Sequence, residues 1–252
     1  MIEVYTERFA GIETLHAVPA GMKTAALPTV VFYHGFSSSK TVYSYFAVAL
    51  AQAGFRAILP DAPQHGARFD GDAAVRVQQF WQILQQNLSE FAPLSAALRE
   101  AGLIQPGQLY VAGASLGGMT ALGLMSTHPE IDAVASLMGS GYYTSLARSL
   151  FPPVDWNRPG ARAEFEAIVA PLARFEAVRN LERLAHRPLF LWHGEADDVV
   201  PATESFSLQL ALQTAGLAEN LRWQWEAGVK HRITPAALDG CVAFFSRIAG
   251  IN

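Results

Sequence analysis

The chain has 252 residues, 51% of them apolar and only 16% charged, with a formal net charge of −4. Soluble domains average roughly 25% charged residues, and a disordered chain needs low hydrophobicity with high net charge, so disorder is excluded. With 18 Lys+Arg against 22 Asp+Glu there is no basic excess, and no nucleic-acid partner is expected. The length suits one α/β domain, 1–252, with a large core.

The apolar surplus invites a membrane reading, which residue order argues against. The charge-free run covers 101–129, and its most apolar part, 109–125, holds four glycines and Ser115. That part is shorter than the ~20 apolar residues of a spanning helix. Glu3, Glu7 and Arg8 leave no apolar leader at the N-terminus. The single Cys241 allows neither an internal disulfide nor a cysteine-rich metal site. The expectation is a cytoplasmic monomer or small homo-oligomer without membrane insertion.

In chain order, residues 2–9 and 14–18, divided by Gly11, read as an antiparallel hairpin. Residues 29–33 (TVVFY) are a short β-rich run leading to His34-Gly35. A helical pattern over 41–53 stops at Gly54, and 55–59 (FRAIL) is the next strand, closed by Pro60 and Asp61. A long helical pattern fills 73–101 up to Gly102. Pro93 inside it predicts a break or kink, because an interior proline loses a hydrogen bond and clashes one turn back. A strand at 108–112, a helix at 116–128 and a strand at 131–137 follow. Later strands at 188–192 and 221–225 each lead through a loop to a helix, at 203–215 and 235–249. Thr234-Pro235 supplies an N-cap hydroxyl and a proline at the first helical position.

Strand-length apolar runs alternating with longer helical ones predict a mainly parallel sheet covered on both faces. Residues 139–187 depart from the alternation and carry Phe151-Pro152-Pro153 and Trp156-Asn157-Arg158-Pro159. Connections this long carry their own structure or a function. Two readings stay open: a helical insertion over the strand ends, with 141–187 as a candidate lid, or an extended connection packed on one sheet face.

Gly113-Ala114-Ser115-Leu116-Gly117 matches G-x-S-x-G and sits between a strand and a helix, the setting of a sharp turn that lifts a serine clear of a sheet. A serine hydroxyl is a poor nucleophile near neutrality and needs a base, which needs an orienting carboxylate. The chain order expected with this turn is Ser, then Asp, then His. After the strand at 188–192 comes His193-Gly194-Glu195-Ala196-Asp197-Asp198. Asp197 is the preferred carboxylate, with Asp198 able instead to cap the next helix. After the last strand, His231 precedes the helix capped by Thr234 and is the best-placed base of the seven histidines. The oxyanion formed by attack on a carbonyl needs backbone N–H donors, expected from Leu116 and from Phe36 in His34-Gly35-Phe36. His34, His65 and His193 read as structural hydrogen-bonding residues.

On His34-Gly35-Phe36, Asp61 to His65-Gly66, Gly113 to Gly117, His193-Gly194 to Val200-Pro201 and His231, the chain resembles an α/β-hydrolase, in particular the small bacterial carboxylesterases of the YjfP type. The matching residues run from about 30 to 235. With helices expected on both faces of the sheet, the helical insertion after the sixth strand, 141–187, stays the candidate lid. The resemblance implies an eight-stranded, mostly parallel sheet with a site at its C-terminal edge. It also implies hydrolysis through a serine acyl-enzyme. With no cluster of Arg or Lys near the site, small neutral carboxylic esters are the expected substrates. Phe36, Tyr43, Tyr45, Met119, Tyr142, Tyr143 and Phe151 either line an acyl pocket or belong to the core. A peptidase or thioesterase would use the same residues. A ligand-binding protein with vestigial activity is a further alternative, against which the intact Ser–Asp–His set argues. No cofactor or metal is expected: the histidines are dispersed, and neither H-E-x-x-H nor G-x-x-x-x-G-K-[ST] occurs.

Overall fold

A computed structural model describes residues 1–69 and 71–251. Eight strands form one sheet: β1 (Ile2–Phe9), β2 (Ile12–Pro19), β3 (Leu27–Tyr33), β4 (Arg56–Pro60), β5 (Ile104–Ala114), β6 (Ala133–Leu137), β7 (Leu189–Gly194) and β8 (Leu221–Glu226). Their spatial order is β1-β2-β4-β3-β5-β6-β7-β8. The first hairpin turns through Ala10 (φ 50°) and Gly11 (φ 79°), the left-handed pair that a two-residue turn needs to match strand twist. β2 runs antiparallel to β4, and every pairing from β4 across to β8 is parallel.

β3, β4, β6 and β7 are buried at every residue, whereas the edge strands β1 and β8 are largely half-buried or exposed. Alternate residues of each inner strand feed separate hydrophobic clusters on the two faces, as the period of two requires. Val31, Ile58, Val111, Val134 and Leu191 face one cluster. Val30, Phe32, Ala57, Ala112, Ala135 and Trp192 face the other. The second cluster is closed by α1 (Ser44–Gln52) and α9 (Pro235–Ala249), through Phe46, Leu50 and Phe245. The first is closed by α3 (Phe80–Glu100), α4 (Leu116–Thr127) and α8 (Thr203–Thr214).

The long pattern after Gly71 breaks at a different place from the one expected. α2 (Ala73–Gln78) ends at Gln79, and α3 then runs on through Pro93. Pro93 and Ser89, whose carbonyl loses its partner, both lie on the exposed side, where water can take over. β5 also starts earlier than expected. Its first residues pair with Leu27 before a register shift beside Pro106 and Gly107 (φ 71°), which hides the strand's opening from an alternation pattern.

The segment between β6 and β7 is helical: α5 (Tyr143–Leu146), α6 (Ala161–Val169) and α7 (Leu181–Ala185), with 3₁₀ turns at Ala170–Phe175 and Ala177–Arg179. It packs on α4 and α3. A β-carbon on Gly123 of α4 would lie 2.7 Å from Leu88, 2.8 Å from the Tyr143 hydroxyl and 3.4 Å from Phe175. Among the described residues, no helix is long and apolar enough to cross a membrane.

Candidate active site

The turn from β5 into α4 is made by Ser115, with φ 56° and ψ −116°, a backbone region that residues with a β-carbon rarely occupy. Neighbouring structure holds it there. Ser115 N–H donates to Leu137 O at 2.9 Å, and Ser115 O accepts from Met119 N–H at 2.9 Å. Two glycines are sterically obligatory. A β-carbon on Gly117 would come 1.9 Å from Tyr33 O, and one on Gly113 would come 2.3 Å from the Gly117 carbonyl. The glycines of the motif are therefore what let α4 close on the sheet directly behind the serine.

His231, in the loop after β8, faces this serine: Nε2 lies 2.9 Å from Ser115 Oγ. Its Nδ1 lies 2.7 Å from Asp197 Oδ2. A carboxylate only accepts, so it fixes the proton on Nδ1 and leaves Nε2 bare toward the serine hydroxyl. The two loops that deliver Asp197 and His231 are tied together. Glu195 N–H donates to Glu226 O at 2.9 Å and Ala196 N–H to Val229 O at 3.0 Å. Gly194 admits this approach, since a β-carbon there would sit 2.4 Å from Val229 O.

The Asp197 side chain is buried with its acceptors filled. Oδ1 takes the N–H groups of Val199 and Val200, both at 2.9 Å, and His193 Nε2 lies 3.2 Å from Oδ2. Burial pushes its carboxyl pKa up, but hydrogen bonds from His193, His231 and Val199 N–H outweigh it, and the net value lies well below the usual carboxylate range. Asp198 is elsewhere: it pairs with Lys230 at 3.0 Å on the surface. Nor does it cap α8, the alternative left open by sequence; the residue at that N-cap position is Ala202. Thr234 does cap α9, accepting from Ala237 N–H at 3.1 Å.

Beside Ser115 lies a cavity of about 300 Å³ whose walls include Phe36, Tyr43, Tyr45, Met138 and His231. Leu116 is the first residue of α4, so its N–H stands at a helix N-terminus next to Ser115. Of the aromatic and apolar candidates, Met119 and Tyr143 are core residues, the Tyr143 hydroxyl donating to Met119 O at 2.6 Å. Tyr142 is half-buried, and Phe151 packs on Phe36 with ring centroids 5.3 Å apart. Arg232, on the cavity wall beside His231, has no signal in the sequence that would single it out.

Buried Lys40 and Asp61 form a further pair that sequence reasoning missed. Asp61 Oδ1 accepts from Lys40 N–H (2.8 Å), and Oδ2 accepts from Lys40 Nζ and from Ala67 N–H (2.9 Å). A β-carbon on Gly66 would strike this carboxylate at 2.3 Å. The Asp61-to-Gly66 spacing marks the loop; nothing around Lys40 in sequence marks its partner.

Residues 77–249 match the prolyl oligopeptidase family (Peptidase_S9). The chain belongs to that family. It is 57% identical over 245 residues to esterase YjfP of Escherichia coli (strain K12), covering 97% of this chain and 98% of that one. It is 32% identical over 252 residues to the putative esterase YitV of Bacillus subtilis (strain 168), with 97% and 98% covered. Among solved structures it resembles TT1662 from Thermus thermophilus, with a TM-score of 0.79, 23% identity and both chains covered in full. The fold is that of the α/β-hydrolases, and for this family member the Ser115 turn lies, as in the fold generally, at the C-terminal ends of the parallel strands.

Proposed function

We propose that this protein is a serine esterase that hydrolyses small carboxylic esters through an acyl-enzyme, with Ser115 as nucleophile, His231 as base and Asp197 as its orienting carboxylate. The observation that carries this reading is the hydrogen-bonded chain from Asp197 through His231 to Ser115, beside a cavity walled in part by aromatic side chains. The esterase names of relatives aligned over nearly the whole chain support the choice of ester.

In this mechanism His231 Nε2 takes the Ser115 proton as Oγ attacks the carbonyl carbon. The oxyanion is held by the N–H groups of Leu116 and Phe36. The tetrahedral intermediate collapses as His231⁺ protonates the leaving alcohol, leaving an acyl-serine. Water, deprotonated by His231, then releases the acid and restores Ser115. Asp197 stays ionised throughout, because its low carboxyl pKa keeps its proton affinity far from that of an imidazole.

Phe36, Tyr43 and Tyr45 on the cavity wall support an acyl group of modest size, with Arg232 on the same wall. The family to which the chain belongs supports amide hydrolysis as a second reading. A panel of p-nitrophenyl esters of graded chain length, run beside matched anilides and thioesters, tests the choice. The expectation is that esters of short acyl chains turn over fastest and that Ser115→Ala lowers their kcat by at least about 10⁴-fold. Anilides turning over faster than esters would favour the peptidase reading, and an active Ser115→Ala protein would overturn the mechanism.

A further inference from the structure

The loops after β3 and β4 are joined by two histidines used in opposite directions. His34 donates from Nδ1–H to Gly35 O (2.8 Å) in its own loop and accepts at Nε2 from Ala62 N–H (3.0 Å) in the other. His65 repeats the pattern with the loops exchanged: Nδ1–H donates to Pro63 O (2.7 Å), and Nε2 accepts from Ser37 N–H (3.0 Å). A carbonyl can only accept and a backbone N–H only donate, so each ring is fixed as the neutral Nδ1–H tautomer. The rings lie 5.3 Å apart, and His65 meets the Phe36 ring edge-on at 5.2 Å.

These bonds act on the two successive peptide planes that flank Phe36. Gly35 O, bonded to His34, shares its plane with Phe36 N–H. Ser37 N–H, bonded to His65, belongs to the next plane. Ser37 itself has φ 60°, a conformation that needs outside support in a residue with a β-carbon. His65 is fully buried whereas Ser37 is exposed, so this bond is what fastens the surface turn at Ser37 to the interior.

We propose that His65 is a positioning residue for the oxyanion site: its neutral ring locks the Phe36–Ser37 peptide, and a proton on Nε2 releases it. The proposal rests on Phe36 N–H being an oxyanion donor, as in the mechanism above. The charged groups around the two rings are Asp61 at the end of β4, held by Lys40, and Arg76 on α2. Arg68 is near as well, donating to Asp61 O and paired with Glu90 on α3. Burial holds the His65 ring below the ordinary imidazole range, Arg76 adds to that effect, and Asp61 opposes it. The ring is therefore neutral near pH 7 and gains its proton only on acidification.

Glutamine and asparagine separate the two ring nitrogens. Gln at 65 can offer an acceptor near the Nε2 position, whereas Asn reaches only as far as Nδ1. His65→Asn should lower kcat for p-nitrophenyl acetate by about 10- to 100-fold, less than deleting an oxyanion donor outright, with KM within about twofold. His65→Gln should stay within about threefold of the wild-type kcat, an acceptor being the feature that matters. The acid limb of log kcat/KM against pH should be steeper in the wild type than in His65→Gln by about one unit of slope, the proton taken up by His65, since every other titrating group is common to the two proteins. That slope comparison decides the matter even where the Asn protein folds poorly. Equal impairment of folded Asn and Gln proteins, a loss confined to KM, or equal slopes in the wild type and His65→Gln would overturn the role of His65. Ser115→Ala, assayed beside them, keeps the two readings apart: retained hydrolysis there overturns the underlying mechanism, whereas its loss leaves the role of His65 to be decided by the His65 variants alone.

Discussion

His231 and the trio His34, His65 and His193 stand at the same edge of the sheet but are wired differently. His34 and His65 have both ring nitrogens bonded to backbone, and His193 is held by Val200 O (2.9 Å) and Ser205 Oγ (2.7 Å). All three are buried. His231 has side chains at both nitrogens, Asp197 on one and Ser115 on the other, and keeps 17% of its side chain exposed at the cavity. His193 also has a hydroxyl and a carboxylate as neighbours, Ser205 Oγ and Asp197 Oδ2 (3.2 Å), but both of its nitrogens face the interior. Rings closed in like these three set positions. His231 has one nitrogen that opens on the cavity, where its proton can change hands while the other is held fixed.

The largest effect that would break this division is expected at His231. His231→Ala should lower kcat by at least about 10⁴-fold, while stability falls by no more than about 1–3 kcal/mol, the cost of leaving one acceptor of the Asp197 carboxylate unpaired. Steady-state rates and urea unfolding on one preparation check both halves; a large stability loss with modest kinetic change would place His231 with the trio. Next comes the pair of adjacent aspartates. Asp197→Asn should lower kcat by about 10³- to 10⁴-fold, since the amide presents the wrong hydrogen-bonding partner to Nδ1. Asp198→Asn removes only an exposed ion pair with Lys230 and should stay within about twofold. Comparable losses in the two variants would undo the assignment of Asp197.

The smallest effect is on stability and belongs to the buried rings. Burial pushes His34 down to about 4, and His65 and His16 are also lowered, first by burial. An unfolded histidine titrates near 6.5, so below that pH the unfolded chain binds more protons than the folded one. Stability should be complete above about pH 6.5 and decline as pH falls from there toward about 4. Asp197, lowered in the folded state, adds a further loss only below its unfolded value of about 4. Thermal unfolding at pH 7.5, 6 and 5 at fixed ionic strength reads the first window, and a melting temperature that did not fall across it would contradict the neutral state of these rings.

What a sequence reveals of such a site follows from the range of the forces involved. The Ser115 turn is written locally, because only glycine fits at positions 113 and 117 and the strand and helix flank them directly. The order Ser115, Asp197, His231 follows from the sheet's winding, so it is readable without contacts. Spacing alone favours Asp197 over Asp198; the turn that aims one inward is closed by Asp197 accepting from Val199 and Val200 N–H. The reciprocal bonding of His34 and His65 links loops 28 residues apart through rings and backbone, which no local pattern encodes. Pro93 does not break α3, because it lies on the side of the helix that faces water. Between β6 and β7, short helices held by Tyr143, Leu172 and Phe175 against α4 lack the long periodicity that makes helices visible in sequence.

Everything proposed for this site depends on Ser115 being an activated nucleophile. Intact-mass measurement and peptide mapping after exposure of the folded protein to a fluorophosphonate test that directly. One adduct per chain is expected, on the peptide that contains Ser115, with labelling abolished in Ser115→Ala and strongly slowed in His231→Ala. A folded wild-type protein that takes no label, or takes it at another residue, would contradict it.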